Sequence, residues 1–243
     1  MMGFEIKVGY DLKKRIERVH LDRFLELKEI ENPVITEGES PDFILELNKR
    51  NISIEHTTLV NPKTKQIEEY QEKIVAIAKQ KFQKKYAIEL NVLVSFNNFN
   101  FEPGKQNEEK YATEVFQLVE ESYLTGLDYD ENQSRNSRRT KQRSKMISRI
   151  GITKLEMDHW QSFGCFVVQR VDEDLLNRLI KKKEKSLTKY QSNYYENWLL
   201  IVVDLGHESS THCFSNFDTE MLESSFDQIF LYGYMPNNLM RIK

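Results

Sequence analysis

The sequence predicts an α/β protein in which a mixed sheet is flanked by helices. Three stretches carry that prediction. In residues 43–55, Phe43, Leu45 and Leu47 alternate with Ile44, Glu46 and Asn48, and Ile52 and Ile54 alternate with Ser53 and Glu55. Alternation of period two is the mark of strands. The polar run Asn48-Lys49-Arg50-Asn51 between the two halves reads as their turn, since Asn tolerates the left-handed backbone that tight hairpins need. Segments with helical spacing stand on either side, over residues 11–30 and 65–85. Residues 198–204, WLLIVVD, form a near-continuous apolar run, as in a strand buried on both faces.

Each element follows from its local pattern. Residues 11–30 place Leu12, Ile16, Val19, Leu27 and Ile30 on one helical face, with Asp11 as a cap. Val34-Ile35-Thr36 reads as a short first strand, followed by the turn around Gly38. After the hairpin, Asn61-Pro62-Lys63-Thr64 is a loop. The helix over 65–85 sets Ile67, Tyr70, Ile74, Ile77, Ala78 and Phe82 on its apolar side. A strand follows over 87–96, which a crossover helix would deliver parallel to the hairpin. Residues 97–106, with the turn Pro103-Gly104, are the boundary between a core of residues 1–100 and a C-terminal α/β extension of 101–243 that completes it or packs on it, the two together expected to form one compact domain. The extension opens with a helix over 107–127. Its clearest early strand is Phe163, Cys165, Phe166, Val167 and Val168. A helix starts at Asp172-Glu173-Asp174, where acids meet the positive end of the dipole, and runs to about Tyr190. Lys181, Lys182, Lys183, Lys185 and Lys189 read as its solvated face, or as a second nucleic-acid contact. A last strand covers 228–232, with Phe226 and Phe230 inward.

The chemistry concentrates at one end of the hairpin. Asp42 opens it, just after Pro41, and Glu55 closes it. A turn at 48–51 brings the two carboxylates to the same end, where they suit a hard divalent cation such as Mg²⁺ or Mn²⁺. Pro41-Asp42, then Glu55-x-Thr57 at the end of a strand, then an amphipathic helix, resembles the core of the PD-(D/E)XK nuclease superfamily over roughly residues 10–100.

That resemblance implies a restriction-endonuclease-like fold and metal-dependent cleavage of nucleic-acid phosphodiesters, in DNA before RNA. It makes Asp42 and Glu55 the metal ligands. The family's lysine falls at Thr57 here, which donates a hydrogen bond but carries no charge. The resemblance also implies an extra acid from the preceding helix, for which Glu26 is the candidate, with Glu17 on the other edge of that helix's apolar face. Glu37 and Glu39 stand close upstream of Asp42. Gln71 lies four residues after Ile67 and three before Ile74, inside the apolar arc of its helix. A glutamine there needs a partner, and a metal-site carboxylate or the scissile phosphate would serve. It matches the first position of the family's Q-x-x-x-Y signature, while Val75 replaces the tyrosine. Lys73 borders the same face and is a candidate for the missing cation.

Residues 132–149 contain no acid and carry Arg135, Arg138, Arg139, Lys141, Arg143, Lys145 and Arg149. Arginines so spaced suit backbone phosphates. The chain as a whole, with 35 basic and 38 acidic residues, does not favour a polyanion by its sum. His207, His212 and Cys213 match no standard zinc spacing. Two cysteines and an N-terminus without an apolar core fit a reducing cytoplasm. No apolar run approaches the ~20 residues of a membrane span. Phosphate-loop, dinucleotide and nucleophile-elbow motifs are absent. A catalytically inactive nucleic-acid- or partner-binding protein on the same fold is the alternative function. A homodimer, or a partner protein of a defence or mobile-element system, is the expected assembly.

Overall fold

A computed structural model describes residues 2–97, 103–124, 145–153, 158–164, 166–203, 206–214, 217, 222–234 and 237–243. Residues 2–11 are described as backbone only. The chain divides into two compact units, Met1–Asn61 with Val167–Lys243, and Pro62–Phe166. The division expected near residue 101 falls inside the second unit. Residues 167–243 supply the first unit with helix and strand elements, including three strands of its main sheet.

The first unit opens with helix α1 (Met2–Leu27), then strands β1 (Val34–Glu37), β2 (Phe43–Leu47) and β3 (Arg50–Thr58). The expected hairpin forms, and Asn48 and Lys49 both take positive φ, at 53° and 63°. Those are the two central residues of a tight hairpin turn, whose twist matches that of its strands. The register pairs Phe43 with Ile54 and Leu45 with Ile52.

The second unit begins with helix α2 (Pro62–Tyr86), followed by β4 (Asn91–Phe96), helix α3 (Glu108–Leu124), β5 (Ile147–Thr153) and β6 (Trp160–Ser162). Its own sheet has the order β5-β4-β6. Ile74, Ala78 and Phe82 of α2 and Val115 and Val119 of α3 share a core with Val92 and Val94 of β4. The helix and strand predicted over 65–96 therefore form, but they do not join the hairpin's sheet.

The chain returns to the first unit through β7 (Gln169–Arg170), helix α4 (Glu173–Leu187), β8 (Glu196–Val203), β9 (His212–Cys213), β10 (Gln228–Gly233) and β11 (Asn238–Arg241). Asp172 caps α4 by accepting from the Leu175 amide at 2.9 Å. The main sheet runs β1-β2-β3-β8-β10-β11. Its first three strands and its last pair are antiparallel, whereas β3–β8 and β8–β10 are parallel. It is a mixed sheet flanked by helices. Residues 163, 164 and 166–168 are irregular rather than a strand, and Val167 is 83% exposed. The Phe163 amide still donates to the Val94 carbonyl at 2.8 Å, but among the described residues no ladder runs on through 166–168. Strand β11, which closes the edge beside β10, has no counterpart among the elements expected from the sequence.

Strand β8 is the centre of the first unit. Trp198, Leu200 and Val202 face α1, where Leu21, Phe24 and Leu25 cover them. Leu199, Ile201 and Val203 face α4, where Leu176, Ile180 and Leu187 cover them. Burial on both faces explains the apolar run, at about 1.5–3 kcal/mol for each large side chain removed from water. Among the described residues no helix is long and apolar enough to cross a membrane.

The buried stripe of α1 differs from the one predicted. Leu12, Ile16 and Val19 are exposed, at 58%, 48% and 45%. Glu17, His20, Leu21, Phe24 and Leu25 turn inward instead. The helix carries two apolar stripes, and the sheet beneath it selects the one that ends in polar side chains.

Candidate functional site

The pairing of Phe43 with Ile54 sets Asp42 and Glu55 at the same end of the hairpin, as its register requires. Asp42 is fixed by its own strand neighbour, since the His56 amide donates to Asp42 Oδ2 at 2.9 Å. The turn before it is tight. The Gly38 amide donates to the Asp42 carbonyl at 2.9 Å, and a Cβ on Gly38 would stand 2.7 Å from the Pro41 carbonyl oxygen.

Glu55 is 5% exposed, and both of its oxygens are held. Lys183 Nζ donates to Oε1 at 2.9 Å, and the Tyr190 hydroxyl donates to Oε2 at 3.0 Å. Lys183 Nζ also lies 3.9 Å from Asp42 Oδ2. A buried carboxylate is costly unless it is paired and hydrogen-bonded, and these groups supply both. Burial, and then the charge of Glu55, push the Tyr190 hydroxyl well above its ordinary pKa, so it stays protonated and donating.

The helix α1 brings a third acid. Glu17 is 5% exposed, and Lys14 bridges it to Asp42, with Nζ 3.4 Å from Glu17 Oε2 and 3.4 Å from Asp42 Oδ1. Lys14 Nζ also donates to the Gly38 carbonyl at 2.9 Å. Glu17 Oε2 is buried without a hydrogen bond. Behind Glu17 lie two buried histidines, His20 and His56, with Nδ1 of the first 3.1 Å from Nε2 of the second. Burial is the main cause that lowers His56 to a pKa of about 3, with the charges of His20, Lys183, Lys13 and Lys14 adding to it. His56 is therefore neutral near pH 7, and its 3.9 Å approach to Glu17 is a polar contact rather than an ion pair. The cavity in front of these groups is about 390 Å³ and is lined by Glu17, His20, Asp42, His56, Thr57 and Lys183, among others.

The predicted residues divide between the two units. Asp42, Glu55 and Thr57 come together in the first. Glu26 lies away from them, with a side chain 67% exposed and paired to Arg23 at 2.9 Å. Glu17, nine residues earlier, is the acid of α1 that reaches the site. Glu37 pairs with Arg18 at 3.2 Å, and Glu39 is exposed. Gln71 is buried, as its place in the apolar arc requires, but within α2 of the second unit. Lys73 pairs with Glu108 at 2.8 Å in that unit. Arg135, Arg138, Arg139, Lys141 and Arg143 lie outside the described residues, as do Cys165 and Asp204, the polar residue that ends the apolar run 198–204, and Lys145 is exposed. His212 is buried and Cys213 exposed.

Lys183 is the residue that sequence reading missed, and a signal for it existed. It follows Leu176 by seven residues and Ile180 by three, and precedes Leu187 by four. All three of those leucine and isoleucine residues are buried. A lysine in the middle of an apolar stripe has to find a carboxylate, unlike its neighbours on the solvent side. Tyr190, seven residues further on, continues the same stripe.

Carboxylate oxygens are the donors a hard cation prefers, and Asp42 and Glu55 stand either side of Lys183, while Glu17 Oε2 on the α1 side is buried without a hydrogen bond. As placed, Lys14 and Lys183 separate the carboxylates, and among the described residues no group of three His, Cys, Asp or Glu is set to hold an ion. Asp42 and Glu55, which share Lys183, are the residues that would hold one, with Lys183 giving way, while Glu17 approaches from the α1 side through Lys14 and Asp42. No protein-family model matches this chain, and neither a curated protein nor a solved structure matches it significantly.

Proposed function

We propose that the chain is a metal-dependent nuclease of the PD-(D/E)XK type that hydrolyses nucleic-acid phosphodiester bonds, with DNA the first substrate to try. The observation that carries this reading is Lys183. The resemblance lacks its lysine at Thr57, and the ammonium of Lys183 bonds the second acid at 2.9 Å while standing 3.9 Å from the first. The order of elements adds support. A helix, three antiparallel strands, then a helix and a strand parallel to the third occur in that order in the first unit, beside β7 and β9 to β11, once the second is set aside as an insertion. That order is the one the resemblance implies, with α4 rather than α2 as the crossover helix.

Asp42 and Glu55 would hold Mg²⁺ or Mn²⁺, with Glu17 as the acid from α1. When bound, such an ion acidifies water and offsets charge at the phosphorus. The chain's own residues position the rest. Lys183 holds a positive charge beside both acids, where it orients the attacking water or faces the phosphoryl oxygen as charge develops. Tyr190 keeps Glu55 from rotating. Thr57 offers a hydroxyl at the cavity wall.

A second reading draws on the lysines. Three carboxylates against two ammonium groups leave one negative charge, so the site is nearly neutral without any metal. A nuclease-like protein that binds nucleic acid without cutting fits that balance. A cleavage assay decides between the readings. Circular and linear DNA, single and double stranded, and RNA are incubated with Mg²⁺, Mn²⁺ or EDTA, beside Asp42→Ala and Glu55→Ala. Metal-dependent cutting lost in both variants supports the nuclease. Cutting retained in both sinks it, and salt-sensitive binding without cutting favours the second reading.

A further inference from the structure

We propose that the solvent face of α4 is a track for a nucleic-acid backbone, gripped by Arg178, Lys181, Lys182 and Lys185. The proposal rests on the nuclease reading for its substrate and adds the surface that holds it. All four side chains are exposed. At 3.6 residues per turn they fall within an arc of ~100°, and they span about 10 Å of helix, the axial length of about three phosphates of one strand. Lys182, within the track, is the chain neighbour of Lys183 in the site.

The state of their charges points to an absent anion. Elsewhere, Lys14, Lys65, Lys73, Lys79 and Lys85 each pair with a carboxylate, and Lys49, Lys84 and Lys110, which make no ion pair among the described residues, stand outside α4 rather than in this row. Among the described residues, none of the four cations of the track makes an ion pair. They stand three and four residues apart, so they face one another as like charges, a destabilising arrangement on a bare helix. The one acid among them, Glu184, is turned to other work. Its Oε1 accepts from the Ser224 hydroxyl at 2.8 Å and the Ser225 amide at 2.6 Å. Glu173 and Asp174 lie in the first turn, where they meet the helix dipole. A row of mutually repelling cations, with the nearby acid withheld, is complementary to a polyanion. Backbone phosphates at regular spacing satisfy such a row better than one compact anion.

The test is binding of a labelled 20-base-pair DNA duplex, read by fluorescence anisotropy in EDTA between 50 and 200 mM KCl. The full chain is compared with R178Q/K181Q/K182Q/K185Q, and with a control neutralised at Lys49, Lys65, Lys84 and Lys110. The track variant should bind at least tenfold more weakly at 100 mM KCl. Its salt slope should flatten by about 0.9 for each phosphate that is no longer neutralised, while the control keeps the parent slope. Equal loss in the control, an unchanged slope in the track variant, no duplex binding by the parent chain, or tighter binding to phosphatidylserine vesicles than to duplex each overturns the proposal. Cleavage in Mg²⁺ is read separately. Salt-dependent binding through the track without any cutting supports the track and removes the nuclease, whereas cutting that the track variant retains with its slope unchanged removes the track alone.

Discussion

Lys183 Nζ lies 2.9 Å from Glu55 Oε1, although 128 residues of chain separate them. The whole second unit is inserted between the strand that carries the acid and the helix that carries the base. The site is complete because α4 returns to the same sheet as β3.

Replacing Lys183 by Met removes the charge and keeps the aliphatic stem. The expected result is a fall in kcat of about 100-fold or more, the usual size for losing one group that faces developing charge. Adding Thr57→Lys to that variant puts a lysine at the position the resemblance implies. It should recover part of the rate. Full activity of the single variant in the cleavage assay would remove Lys183 from the chemistry.

Glu17 and Glu26 sit on the same helix and make opposite predictions. Glu17→Gln should weaken Mn²⁺ binding by calorimetry by about 10-fold or more and lower the rate, since it removes a charge beside the other acids. Glu26→Gln should change neither, because it loses only an exposed pair with Arg23. The reverse ranking would restore the residue chosen from the sequence.

Tyr190→Phe leaves Glu55 Oε2 without its donor in a buried place. An unsatisfied buried acceptor costs about 1–3 kcal/mol. Urea unfolding in EDTA should show that loss at pH 7, with the slope of the transition unchanged. A variant as stable as the parent would mean that water replaces the hydroxyl.

Stability should fall in mild acid. The unfolded His56 ring takes a proton below pH ~6.5, and the folded ring resists until about pH 3 because it is buried. The unfolded state thus binds more protons between those limits, so stability is full above pH ~6.5 and declines as pH falls toward 3. Each pH unit in that window costs about 1.4 kcal/mol. His212, lowered by burial, adds in the same direction. Urea midpoints measured in EDTA from pH 7 to pH 5 check this, and His56→Gln should flatten the decline.

Much of the site was legible because its parts are local. Asp42 and Glu55 meet through a hairpin whose turn, Asn48-Lys49, takes the left-handed backbone that its polar residues permit. A register of that kind is fixed within about fifteen residues. The burial of Gln71 was legible too, but spacing along a helix says only that a side chain is inward. It does not say which core receives it, and α2 contributes to a different one.

The sequence by itself determined the α/β class, the hairpin with its two acids, the doubly buried strand β8 and the helical character of α1, α2, α3 and α4. These follow from periodicity, turn chemistry and apolar runs, all of which act over a few residues. Only the tertiary structure decided the rest. It paired β3 with β8 rather than β4, chose the Leu21–Phe24–Leu25 stripe of α1 over Leu12–Ile16–Val19, and so brought in Glu17 rather than Glu26. It also singled out Lys183 from the four lysines of α4. The physical reason is the same in each case. Hydrogen-bonded edges and buried faces accept many partners by type, and the partner is chosen by what packs best across the whole chain.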